Sequence, residues 1–196
     1  MASPRPSVRL HPKLRPRRAR IAIAAVLLAL FASAGSSFGQ DNAAKARALV
    51  NSAIQMTDSE QAVKLLWQAT DLDPTLEDPY VYLGVYYNSR SDFANLIKVY
   101  QKLVKYRPNE VSAYLNIGEA YMSFNPPRTE EALVYYRKAY ALDPHNSWTA
   151  LRIGQILAQN GQTADAIKYL REAFANPKNP TAAGEAEKLL RRMGAL

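Results

Sequence analysis

No cysteine occurs anywhere in the 196 residues. That one absence removes disulfides, thiolate nucleophiles, thiolate metal ligands and a lipid-modified N-terminal cysteine together. Histidine is nearly as scarce, with two in the chain, and beyond the N-terminal region only His145 remains, in the stretch DPHN. A single histidine in a turn is a polar loop residue, not a base or a metal site. A glycine-rich phosphate loop is missing as well. Acid pairs do exist, at Asp71/Asp73, Glu77/Asp78 and Glu130/Glu131. They fall near expected helix ends, and Glu130 and Glu131 suit the positive end of a helix without any catalytic duty. This inventory predicts no enzyme, no cofactor and no metal.

Acid is also absent before Asp41, while the first twenty residues carry Arg5, Arg9, Lys13, Arg15, Arg17, Arg18 and Arg20. Setting those seven aside leaves 18 basic residues against 17 acidic ones, so the net charge of +8 belongs to the leader. Nucleic-acid binding, which needs clustered cations against phosphates, loses its main support. No apolar run is long. The longest, IAIAAVLLALFASA at 21–34, reaches roughly 21 Å as helix against the ~30 Å of a hydrocarbon core. A basic stretch, this apolar stretch and the small, polar GSSFGQDN after it read as a secretory signal peptide over 1–39, cleaved after Ala34 or after Gly39. An uncleaved membrane anchor and an organelle transit peptide are the alternatives. The protein is expected to be exported, periplasmic or secreted, or else anchored in a membrane and facing away from the cytoplasm. Membrane contact is then confined to residues 21–34.

What the rest of the chain has in abundance is repetition. YVYLGVYYNSR at 80–90 and YLNIGEAYMSF at 114–124 both open with Tyr and place Gly fifth and Tyr eighth. A 34-residue frame extends the match in both directions. From Ala43 it collects Leu49, Ala62, Leu66, Ala69 and Pro74. From Glu77 it collects Tyr80, Leu83, Gly84, Tyr87, Leu96, Tyr100, Leu103 and Pro108. From Val111 come Tyr114, Ile117, Gly118 and Tyr121, then Ala132, Tyr136, Ala139 and Pro144 after two extra residues in FNPPRTEE. From Ser147 come Ala150, Ile153, Gly154, Leu157, Ala166, Leu170 and Ala173.

This pattern resembles the tetratricopeptide (TPR) repeat, in which small and bulky residues at fixed places let two antiparallel helices approach closely. The resemblance implies an all-α, right-handed solenoid of four repeats, at 43–76, 77–110, 111–146 and 147–180. Pro at the frame's end stops each second helix, and Thr129 and Thr163 stand where N-cap oxygens are expected. Val50 in place of Gly, and Leu96 and Leu103 in place of Ala, are departures; the two leucines predict wider packing there. Residues 181–196 place Ala186, Leu189, Leu190 and Met193 on one helical face, which predicts a helix capping the stack.

By resemblance to the family, the first helices line a concave groove that holds a protein or peptide partner. The groove positions select Arg47, Asn51 and Gln55, then Tyr82, Val85 and Asn88, then Asn116 and Glu119, and finally Trp148, Arg152, Gln155 and Gln159. Amide, aromatic and Arg side chains suit an extended peptide with an apolar anchor. A carboxylate clamp of the kind that holds chaperone tails is not completed: Arg47, Asn51, Asn116 and Arg152 match parts of it, while Tyr82, Ser112, Val81, Val85 and Trp148 break both registers. The reading is an exported adaptor that assembles or localises an envelope complex. Its alternative is a structural, homo-oligomeric module that associates through its ends or convex surface.

Overall fold

The computed structural model describes residues 40–176 and 178–196. The expected leader over 1–39 lies outside them. Among the described residues every regular element is an α-helix, and none is long and apolar enough to cross a membrane. The described residues contain α1 (40–54), α2 (Ser59–Leu72), α3 (Asp78–Ser89), α4 (Phe93–Tyr106), α5 (Val111–Met122), α6 (Thr129–Leu142), α7 (Ser147–Gln159), α8 (Thr163–Phe174) and α9 (Pro180–Arg192), and Lys45–Leu196 form one compact unit. Each helix from α2 to α9 packs on the next in sequence, and α9 also touches α7. The fold is a TPR solenoid.

The repeated glycines explain why the helices pair so closely. A Cβ built at Gly84 would come 2.3 Å from Tyr100 Oη, at Gly118 2.6 Å from Tyr136 Cε1, and at Gly154 2.8 Å from Leu170 Cγ. In each repeat a bulky side chain of the second helix therefore fills the space that glycine leaves on the first. Tyr136 and Leu170 are fully buried by that fit, and burying a large side chain stabilises by roughly 1.5–3 kcal/mol. In the first repeat Val50 and Leu66 are both buried.

The opening tyrosine of the motif has a second task. Tyr80 Oη donates to the Pro74 carbonyl at 3.0 Å, and Tyr114 Oη donates to the Pro108 carbonyl at 3.1 Å. Each tyrosine thus closes the turn that the preceding proline begins. Ala150, which takes this place in the fourth repeat, has no hydroxyl to do so.

The expected threonine caps are corrected. Arg128 and Gln162 are the N-cap residues of α6 and α8, neither with a side-chain cap bond, and Thr129 and Thr163 are the first helical residues. Instead, the tight turn turns backbone donors back: Gln162 N–H reaches the Leu157 carbonyl at 2.9 Å and Arg128 N–H the Tyr121 carbonyl at 3.0 Å. True side-chain caps occur at Asp58, Asp92, Asn146 and Asn179.

Successive repeats are joined by polar bonds at nearly constant sequence separation. Arg90 donates to Ser59 (31 residues apart), Gln101 to Tyr135 (34) and Asn160 to Glu130 (30). At the far end α9 buries Ala182, Ala186 and Leu190, with Leu189 and Met193 packed beside them.

Candidate partner-binding groove

Val85, Asn88, Asn116 and Glu119 meet in one cleft of about 360 Å³. Two first helices, α3 and α5, supply them. Leu96 and Tyr100 of α4 close the cleft from behind, and Gly84, Ala120 and Ser123 complete its walls. Gly84 lets the Tyr100 ring come forward to the cleft, and burial raises the phenol above its ordinary pKa.

Beside this cleft α3 carries an exposed apolar face. Val85 is 65% exposed, Val81 47% and Tyr82 44%. An apolar side chain normally exposed singly is unremarkable, but three on one short helix form a patch next to polar amides.

Glu119 links the cleft to a second cluster on α7. Arg152 Nε donates to Glu119 Oε1 at 2.6 Å and Arg152 Nη2 to Oε2 at 3.0 Å. The same guanidinium donates from Nη1 to Gln155 Oε1 at 3.1 Å and lies 4.7 Å over the Trp148 ring. Arg152 is thus already committed to a bidentate carboxylate partner, and the cleft lining contains no Lys or Arg. A site of this kind favours an extended, uncharged backbone over an acidic tail.

Under this bridge the Tyr136 hydroxyl is buried and has no partner in hydrogen-bond geometry. Burial first, then the charge of nearby Glu119, raises its pKa well above that of a free phenol. The Glu119 carboxylate acts on it by proximity without an aligned hydrogen bond.

The remaining sequence-selected residues do not join these clusters. Arg47 and Asn51 are exposed on α1, Gln55 follows it, and Gln159 is exposed at the end of α7. Tyr82 flanks the cleft without lining it. Conversely, sequence reasoning passed over Leu96, Tyr100 and Ser123 as lining residues. The departure from alanine at Leu96 was their available signal, because a larger residue there fills the wall. A larger recess of about 770 Å³ opens at the α6–α7 turn. Its polar groups bond to one another, Tyr140 Oη to Glu172 at 2.6 Å and Asn176 Nδ2 to the His145 carbonyl at 2.6 Å.

Residues 83–147 and 128–184 both match the sequence pattern described as tetratricopeptide repeat. Tetratricopeptide repeat protein 21A of Mus musculus is 34% identical over 90 residues, which are 46% of this chain and 7% of that protein. Among solved structures, MamA superposes with a TM-score of 0.56 at 19% identity, over 74% of this chain and 81% of that one. The TPR2B domain of yeast Sti1, solved in complex with pHsp70, gives a TM-score of 0.52 at 24% identity, over 59% of this chain and 93% of the domain. These likenesses at low identity establish the fold, and the aligned stretch is a small part of the mouse protein.

Proposed function

Because this chain belongs to the tetratricopeptide-repeat family, whose stacked helices serve as scaffolds for protein–protein contacts, we propose that it is a non-enzymatic adaptor holding a segment of a partner protein in its groove. The observation that carries this reading is the exposed apolar face of α3, Val81, Tyr82 and Val85, set against a cleft lined by Asn88, Asn116 and Glu119. An extended segment running over it lays an apolar side chain on α3 and offers its backbone to the amides of α3 and α5. The complex of the Sti1 domain with pHsp70 supports the reading by analogy of fold alone. Since Arg152 is tied to Glu119, the bound segment is uncharged where it crosses the cleft.

The sequence of the leader supports a place outside the cytoplasm: a basic stretch, the apolar run at 21–34, then small residues. The adaptor is accordingly proposed to help assemble or localise an envelope complex. Cell fractionation and N-terminal sequencing of the mature protein test this, with a new N-terminus after Ala34 or Gly39 as the expected result.

A second reading has its own observation. Ile54 and Met56 near the first turn are 46% and 40% exposed, and Leu196 at the other end is 59% exposed, which suits self-association through the ends. One experiment separates the two. A photo-crosslinking side chain is placed at Tyr82 or at Met56 in the full-length chain. Adducts with a different protein from position 82, lost on Asn116→Ala, support the groove adaptor. Adducts of the chain with itself from position 56, and none from 82, support the structural module.

A further inference from the structure

The second helices of the last three pairs carry a band of cations that the groove does not use. On α4, α6 and α8, Lys98, Lys105, Arg137, Lys138, Lys168 and Arg171 are all exposed. None of the six is in an ion pair among the described residues; Lys102, deeper between the helices, is the one held by an acid, Asp71 at 2.5 Å. Lys105, Lys138 and Lys168 lie over the rings of Tyr106, Tyr135 and Tyr169, and Arg171 donates to the Ala195 carbonyl. The helical period puts Lys98 and Lys105 on the side of α4 away from Leu96 and Tyr100, so this band and the groove cleft face different ways.

Long side chains link the three helices in turn. Gln101 Nε2 of α4 donates to Tyr135 Oη of α6 at 3.1 Å, and Tyr140 Oη of α6 donates to Glu172 of α8 at 2.6 Å. Glu172 is the one carboxylate within the band and is turned onto that tyrosine. Each helix then ends on a large apolar side chain in the open: Tyr106 is 44% exposed, Leu142 40% and Phe174 39%. The result is a strip of positive charge with an apolar edge.

Acids bound the strip on both sides. Glu130, Glu131 and Asp165 occupy the first turns of α6 and α8, and Glu110 and Asp143 follow the ends of α4 and α6. A bilayer or a nucleic-acid duplex is broad and would press its own negative charge against those carboxylates. A short chain crossing the helices at mid-length clears those carboxylates and meets the cations, with Val134 exposed among them and Glu172 turned onto Tyr140.

We infer that this outer strip of α4, α6 and α8 is a second docking surface, whose partner is a short acidic protein segment carrying a large apolar side chain that rests against Tyr106, Leu142 or Phe174. It is independent of the groove. Electrostatic attraction draws the segment in, and the apolar edge fixes its direction.

The test uses the full-length chain and a fluorescent peptide of glutamates with interspersed leucines, with a peptide of the same length in which glutamine replaces glutamate as control. Anionic phosphatidylglycerol vesicles and a DNA duplex are the competing probes. Two charge-reversed variants, Arg137→Glu/Lys138→Glu and Lys98→Glu/Lys105→Glu, are checked for folding by circular dichroism, and a Tyr82→Ala variant reports on the groove. The basic leader contributes equally to all forms, so only differences between them are read. The expected result is a loss of affinity of about tenfold in each reversed pair, equivalent to about 1.4 kcal/mol, with Tyr82→Ala unchanged and the glutamine peptide unbound. Raising salt from about 0.1 M to about 1 M, which shortens the Debye length from ~10 Å to ~3 Å, weakens the acidic peptide in the parent. Affinity within about twofold of the parent in both folded reversed pairs overturns the proposal, as does tighter strip-dependent binding to the vesicles or the duplex than to the peptide.

Discussion

Replacing Gly118 by alanine sets two effects of opposite sign against each other. In an open helix the change stabilises by about 1 kcal/mol, because alanine loses less backbone freedom on folding. Here the new Cβ would sit 2.6, 2.8 and 2.8 Å from Cε1, Cδ1 and Cζ of Tyr136. The contact is with the flat of the ring rather than a flexible tip, and the ring is fully buried, so α5 and α6 must part. Overpacking costs about 1–3 kcal/mol before the gain in propensity is subtracted, and three atoms of a buried ring this close place the contact at the upper end, about 2–3 kcal/mol. The net expectation is a loss of about 1–2 kcal/mol, read as a lower urea midpoint by circular dichroism with little change in slope. Gly184 is the internal control. It also lies in a helix, α9, but a Cβ there meets nothing within 4 Å, so Gly184→Ala is expected to stabilise by about 0.5–1 kcal/mol. A Gly118→Ala protein as stable as the parent would refute the argument that Tyr136 requires glycine beneath it. A destabilised Gly118→Ala that recovers on adding Tyr136→Leu would locate the strain in that contact.

Three further outcomes follow from the same geometry. Thr129→Ala and Thr163→Ala are expected to change stability by less than about 0.5 kcal/mol, whereas Asn146→Ala and Asn179→Ala, which remove real caps at 3.0 Å, cost about 1 kcal/mol each in thermal or urea unfolding. Tyr140, pushed up to about 12 by its bond to Glu172 and then by burial, and Tyr80 and Tyr136, raised by burial above the ordinary 10.0, keep protons that the unfolded chain releases. Stability is therefore fully present below pH ~10 and falls as pH rises beyond it, by up to about 1.4 kcal/mol per pH unit for each tyrosine; urea midpoints that stay flat from pH ~9 to ~11 would contradict this. A double-mutant cycle on Glu119→Gln and Arg152→Met should give a coupling of about 1 kcal/mol that shrinks with salt, since side-chain exposures of 36% and 27% leave the bidentate pair partly screened; additive losses would mean that the bridge contributes nothing.

The sequence made the stack legible because the fold needs a small residue where two helix backbones meet and a bulky one opposite. Gly84, Gly118 and Gly154 and their partners Tyr100, Tyr136 and Leu170 record that need directly. The caps were less legible. Thr129 and Thr163 have the right chemistry one residue too late, since the turn's own backbone bonds put the N-cap at Arg128 and Gln162. In the groove, resemblance to the family selected Val85, Asn88, Asn116 and Glu119, which the structure brings to one cleft. It did not reveal that Arg152 is spent on Glu119, because that pairing crosses 33 residues and depends on side-chain reach rather than on position within a repeat. Nor did the near balance of 18 basic and 17 acidic residues beyond the leader reveal the cations gathered on α4, α6 and α8. Net charge is a sum, and a sum hides segregation.

The polar bonds between repeats, such as Arg90 to Ser59 and Gln101 to Tyr135, span 31 and 34 residues, one period of the chain and no more. Every such link therefore closes a loop of one repeat, and the entropy of closing it is the same wherever along the stack it forms. Such a molecule has no privileged starting point for folding and no distant contact to wait for. It also has no keystone: force applied to the two ends peels one pair of helices from its neighbour while the next pair keeps all of its own contacts. The chain yields in steps of a single repeat, as a zipper does, and regains its length by the same steps.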